Sequence, residues 1–244
     1  MKTLDYVIML LLVFVSLSAA QISIAPQEIS VTTMALNKYH GPNGFFFYDS
    51  PAVQSDITFV FASGIMINAW HSTNFDRQFS NTGGDEIDWT IVQETSITDK
   101  ILIASRFTYF DVVNLLSDQK ADVYYSEVNL SYEVPISPFV TAIYSWPVDV
   151  SGLNAGWLFK TGATYGFSLW KLKVNNQLDV MYDTGVWGFK PGTLVEYAVN
   201  VNFPIVGKLD LNLSAKGSSP INFQEWGDGR KPVASAGIGL AYTF

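Results

Sequence analysis

From Gln27 onward apolar and polar residues alternate with a period of two, the pattern of strands with one apolar face. Ile87, Trp89 and Ile91 hold one parity; Glu86, Asp88 and Thr90 hold the other. Val195, Tyr197, Val199, Val201 and Phe203 oppose Glu196, Ala198, Asn200 and Asn202, and Leu209, Leu211 and Leu213 oppose Asp210, Asn212 and Ser214. Lys173, Gln177, Asp179 and Asp183 fall between Leu172, Val174, Leu178, Val180 and Tyr182, and Lys160 falls between Trp157, Phe159 and Tyr165. Across these runs every charge lies on the polar parity. Helical spacing fits none of them.

Such a pattern suits a soluble sandwich, with its apolar face on a core, or a transmembrane barrel, with its apolar face on lipid. Composition and length separate the two. Only 15% of residues are charged against 48% hydrophobic and 15% aromatic, with a mean hydropathy of +0.19, whereas soluble domains carry roughly 25% charged residues. The longest early apolar run, Tyr6 to Leu17, is too short for a spanning helix of about 20 residues. Many alternating runs reach the ~9–11 residues that cross a bilayer when tilted. Large aromatics such as Trp89, Tyr109, Trp157, Tyr182 and Phe203 stand near their ends, where interfacial girdles form.

The expected fold is therefore all-β: an antiparallel up-and-down transmembrane barrel. Strands are expected near 27–39, 55–62, 64–73, 84–97, 101–113, 123–135, 138–149, 155–169, 171–183, 192–204, 208–216 and 233–244. That makes twelve, or ten if the first run is not a strand and 55–73 is one bent strand. Short connections, at 62–64, 98–100, Ile136-Ser137, Trp170 and 205–207, alternate with long ones, at 40–54, 74–83, 114–122, 150–154, 184–191 and 217–232. Short periplasmic turns and long external loops have this rhythm in outer-membrane barrels.

Met1 to Ala20 reads as a cleaved secretory signal: Lys2, an apolar middle, then Ser18-Ala19-Ala20 before Gln21. The barrel domain then spans 21–244. At the other end Ala236, Ile238, Leu240, Tyr242 and Phe244 alternate with small or polar residues. A last strand of this kind, ending in Phe, resembles the terminal signal of bacterial outer-membrane proteins. In them it implies recognition by the barrel-assembly machinery, with Tyr242 and Phe244 as the assembly signal.

The polar parity, turned inward, carries nine acids: Glu86, Asp88, Glu94, Glu127, Glu133, Asp179, Asp183, Glu196 and Asp210. Three bases join them: Arg106, Lys160 and Lys173. Arg106 is expected to pair across the wall with an acid, and Lys173 to meet acids on its neighbours. The surplus acids call for water or cations, so the expected lumen favours cations or neutral polar solutes over anions. Gly162, Gly166, Gly237 and Gly239 leave room along the wall, and the aromatic loop from His40 to Tyr48 is placed to narrow the mouth. A side-chain-filled, non-conducting barrel is the competing reading, since twelve strands lie between the filled eight and the aqueous sixteen.

Other chemistries find little support. The net charge of −8 and a pI near 4.6 argue against nucleic acid. With no cysteine there is no disulfide, thiolate metal site or Cys nucleophile. The two histidines are His40 and His71. His71 and Ser72, adjacent on a strand, point to opposite faces and do not form a nucleophile–base pair. Asp85, Asp183 and Asp228 read as solvated loop charge, and Glu225 to Pro232 as an exposed tip whose Arg230 or Lys231 is able to touch lipid phosphates. No enzyme, cofactor or metal site is expected. A soluble glycan-binding sandwich and an outer-membrane hydrolase remain the weaker alternatives.

The stretch Ser50-Pro51-Ala52-Val53-Gln54-Ser55-Asp56, with Ser63-Gly64, Trp70-His71-Ser72 and Asp85-Glu86-Ile87-Asp88, resembles a family of small, uncharacterised bacterial outer-membrane β-barrel proteins. The likeness covers roughly residues 50–90. It departs at the first strand, where Lys38-Tyr39-His40-Gly41 stands in place of an Arg-Gly turn. The resemblance implies an outer-membrane barrel of a Gram-negative-type bacterium and brings no catalytic residues. The expected role is a narrow, acid-lined passive channel for small polar or cationic solutes, with outer-membrane lipid and lipopolysaccharide as surroundings. A structural or partner-binding barrel is the alternative.

Overall fold

In the computed structural model the described residues are 25–41, 46–48, 50–75, 86–112, 122–148, 153–221 and 231–244. The expected signal segment, Asp85 and the tip of loop 217–232 with Asp228 lie outside them. The strands are β1 (Pro26–Leu36), β2 (Tyr39–His40), β3 (Phe46–Tyr48), β4 (Ala52–Phe61), β5 (Ile65–Asn74), β6 (Glu86–Ser96) and β7 (Ile101–Val112). They continue as β8 (Val123–Tyr132), β9 (Ile136–Pro147), β10 (Gly156–Leu169), β11 (Leu172–Asp183), β12 (Gly192–Val206), β13 (Leu209–Pro220) and β14 (Val233–Thr243).

Twelve of them close into one antiparallel barrel. From β4 to β14 each pairs with its neighbour in sequence, and β1 pairs with both β4 and β14 to shut the ring. β2 and β3 form a separate two-stranded hairpin between β1 and β4. Residues directly opposite in an antiparallel pair share a face. Glu86 lies across from Ser72, Arg106 from Glu127, Asp179 from Glu196, and Glu196 from Ser218. Followed around the ring, the polar parity of every strand faces inward.

Exposure confirms which face is which. Trp89 is 54% exposed while Glu86, on the same strand, is 1% exposed. Ile91, Phe159, Leu178, Tyr197, Leu213 and Leu240 are likewise exposed, whereas Asp179, Asp183 and Glu196 are buried. A soluble sandwich would reverse this arrangement. Among the described residues no helix is long and apolar enough to cross a membrane, which does not bear on crossing by strands.

Aromatic rings gather outside at both ends of the wall. Phe107, Tyr109, Tyr124, Tyr144, Trp146, Trp157 and Phe159 form a belt of neighbouring rings near the long loops, across β7 to β10. The Tyr109 hydroxyl donates to Asp122 Oδ2 at 2.9 Å there. Tyr165 with Phe167, and Tyr242 with Phe244, stand near the short turns. Two belts flanking an apolar band match an outer-membrane wall.

Some boundaries agree with expectation and others differ. Residues 55–73 form two strands, β4 and β5, joined by a turn in which Gly64 has a φ of 78°. β4 begins at Ala52, so the hairpin loop ends earlier than residue 54. Ile136 and Ser137 belong to β9, and the turn lies before them, where Ser137 Oγ donates to the Val134 carbonyl at 2.6 Å. β8 ends at Tyr132, which leaves Glu133 exposed in that turn and off the inner wall. β13 runs on to Pro220, bringing Ser218 inside beside Lys216, which lies within the expected run 208–216 but is not among the expected inward bases.

Candidate functional site: the barrel interior

Inside the barrel the strands present ten acids and four bases. Glu28 and Asp56 join eight of the expected acids, Glu133 drops out, and Lys216 joins Arg106, Lys160 and Lys173. Asp111, at the long-loop end of β7, is the outward-facing charge among the described barrel strands, because it lies opposite Ile87. The surplus of inward acids is therefore six.

Burial divides the interior into two levels. Toward the short turns the inward residues Glu94, Arg106, Thr164, Ser168, Lys173 and Asn175 are exposed, so this half is a wet vestibule. Arg106 Nη1 pairs with Glu127 Oε2 at 3.5 Å. Lys173 faces Ser168 and Asn202 across its two seams, not acids, and among the described residues no ion pair holds it. Asp210 stands half-buried at the same end.

Toward the long loops the interior is packed. Val123, Tyr125, Ile143, Leu158, Met181 and Leu194 form an apolar cluster on β8 to β12. It is capped by a 3-10 turn at Val186–Gly188 whose Val186 is fully buried. Asp183 anchors that turn, its Oδ1 accepting from the backbone N–H of Gly185 at 2.7 Å and of Val186 at 2.8 Å. Trp187 Nε1 donates to Ser145 Oγ at 3.1 Å. Four inward apolar residues of one cluster, Val123, Ile143, Leu158 and Met181, sit on strands whose outer faces are also apolar, so period-two counting assigns them no distinct face.

The opposite part of the same level is crossed by β2. Successive side chains of an extended segment point in opposite directions, and this two-residue strand uses both. The Tyr39 hydroxyl donates to Glu86 Oε2 on β6 at 2.7 Å. His40 Nε2 meets Ser218 Oγ on β13 at 3.0 Å. Between β6 and β13 lie four strands on one side of the ring and six on the other, so the two anchors stand on nearly opposite walls. Tyr39 and His40 form a crossbar, with the Tyr39 ring 5.6 Å from that of Trp70.

Under His40 lies a chain of alternating charges. Lys216 Nζ pairs with Glu196 Oε2 at 3.0 Å, and His40 Nε2 is 3.9 Å from the same oxygen. Asp179, directly across from Glu196, accepts from Gln177 Nε2 at 2.7 Å. Lys216 thus offsets two facing carboxylates. His40, on the hairpin and outside the spanning strands, has its pKa lowered to about 3, first by burial and then by Lys216 and Lys160. It is neutral at neutral pH.

Ser218, His40 and Glu196 do not form a hydrolytic relay. Such a relay needs the acid on one ring nitrogen and the hydroxyl on the other. Here both approach Nε2, and Glu196 is engaged by Lys216. His71 faces outward, opposite Ile87 and Ser55. Among the described residues no group of three or more metal-ligating side chains converges.

Two expectations about space need correction. Gly237 and Gly239 do not open the lumen, because Leu36 and Met34 of β1 fill the room that a Cβ would take. Gly162 is likewise occupied by Asp179, whose Cβ would lie 2.6 Å from an added Cβ. The His40–Ser218 contact joins residues 178 positions apart, and no local pattern signals it.

No protein-family profile matches the chain, and no curated protein matches it. Solved structures do. The KdgM porin superposes with a TM-score of 0.57 at 9% identity, covering 89% of this chain and 99% of the porin. That porin is also known in complex with disordered oligogalacturonate. The NanC porin gives 0.57 at 11% identity, covering 88% and 98%. The translocator domain of the autotransporter NalP from Neisseria meningitidis gives 0.52 at 11% identity, covering 89% and 88%. At these identities the likeness concerns the fold: a closed twelve-stranded barrel of the outer-membrane type.

Proposed function

We propose that the chain is a passive channel of a bacterial outer membrane, narrow and acid-lined, for small polar or cationic solutes. The observation that carries this reading is the surplus of inward acids over inward bases on a closed barrel whose lower half is wet. An acidic wall raises the local concentration of cations and repels anions. The fold shared with the KdgM and NanC porins supports passage of solutes, and the poor geometry at Ser218, His40 and Glu196 supports a role without catalysis. On this reading, residues 1–20 direct export, Tyr242 and Phe244 are read by the barrel-assembly machinery, and lipid and lipopolysaccharide surround the aromatic belts.

A second reading has its own support. The packed upper level and the crossbar favour a barrel that is closed at rest. Liposome swelling separates the two. Vesicles bearing the folded protein should admit small neutral sugars and small ammonium solutes faster than carboxylates of equal size. Equal, protein-independent rates for all three would contradict the channel.

A further inference from the structure

Beneath the crossbar, Glu86 and Asp88 occupy alternate positions on the inner face of β6, 1% and 9% exposed. Glu86 Oε2 receives the Tyr39 hydroxyl, but Glu86 Oε1 and Asp88 Oδ1 are buried with no hydrogen-bond partner among the described residues. The flanking strands place Ser72 and Trp70 opposite them on β5 and Phe110 on β7. None of these carries a positive charge. The four inward bases are elsewhere: Arg106 is on Glu127, Lys216 on Glu196, and Lys160 and Lys173 stand on β10 and β11. Two adjacent buried carboxylates with no counter-charge among the described residues call for a cation from outside or must share protons.

We propose that Glu86 and Asp88 bind a hard metal cation at the mouth of the barrel, with Ser72 Oγ as a neutral neighbour. Positions two apart on a strand are separated by roughly 6.6 Å along its axis. Two carboxylates at that spacing converge on one ion at oxygen distances of about 2.3–2.6 Å, and water entering from the mouth completes the six to eight ligands that calcium takes. With oxygen donors and no imidazole or thiolate beside them, the site suits calcium rather than zinc. The site deepens the acid-lined channel reading by naming a class of ion that pauses in it. Binding is measurable whether or not the barrel conducts, so the two ideas fail separately.

The test uses the folded full-length barrel in detergent and terbium as the probe, with Trp70 across from Asp88 as the sensitiser. Saturable emission displaced by calcium is expected. Glu86→Gln and Asp88→Asn should each weaken it at least tenfold, while Asp99→Asn, in a short turn, should leave it unchanged. Calcium should also raise the thermal unfolding midpoint of the native barrel and leave that of the Asp88→Asn barrel unmoved. No saturable emission, or equal emission from the doubly substituted barrel, would overturn the proposal. An unfolding midpoint that follows pH and ignores calcium would assign the pair shared protons instead.

Discussion

The side chains of the crossbar act at the scale of single hydrogen bonds. Tyr39 donates to a buried carboxylate, and a hydrogen bond to a charged group contributes about 1.5–3 kcal/mol. A double-mutant cycle of Tyr39→Phe with Glu86→Leu, which removes the acceptor, read by urea unfolding in detergent, should return a coupling in that range. His40 carries the pH dependence. Its pKa in the latched state, about 3, lies below its ordinary 6.5, so the released hairpin binds the proton more readily. The latch is at full strength above about pH 6.5 and weakens as pH falls toward 3. Conductance should rise on going from pH 7 to pH 5 in the native barrel and lose that dependence in His40→Ala. These contacts were hidden in the sequence. His40 and Ser218 are distant in the chain, and a hydroxyl and an imidazole carry no periodic signal.

At the scale of the strand, the alternation determines most of what is observed. Every charged residue of β6, β10, β11, β12 and β13 falls on the inner parity, because one misplaced charge would face lipid. The count of twelve was legible for the same reason. Strand ends were less legible where loops continue the pattern: Gly217 to Pro220 extend β13, while Glu133 keeps the right parity after β8 has ended. The seam between β1 and β14 was misread, since Met34 and Leu36 point inward and pack into the space above Gly239 and Gly237. Gly239→Val should therefore destabilise the seam by roughly 1–3 kcal/mol, measured by urea refolding. The β10–β11 turn carries strain, with Trp170 at a φ of 55° and almost fully exposed. Trp170→Gly should relieve about 1 kcal/mol in the same assay.

For the whole molecule, the decisive property is the inversion of faces: apolar residues outside, a net acidic interior, wet toward the short turns and packed toward the long loops. Leu211→Lys or Val199→Lys would set a charge against lipid and should cost about 2–4 kcal/mol if near the midplane, seen as a lower urea midpoint in bilayers. The central claim, a cation-preferring pore, meets its most direct test in a planar bilayer holding the folded barrel under a KCl gradient. Discrete openings whose reversal potential shifts toward that of potassium are predicted, and the shift should shrink in a barrel with Glu94→Gln and Asp210→Asn. Silence across pH 5 to 7, or a reversal potential on the chloride side, would contradict it.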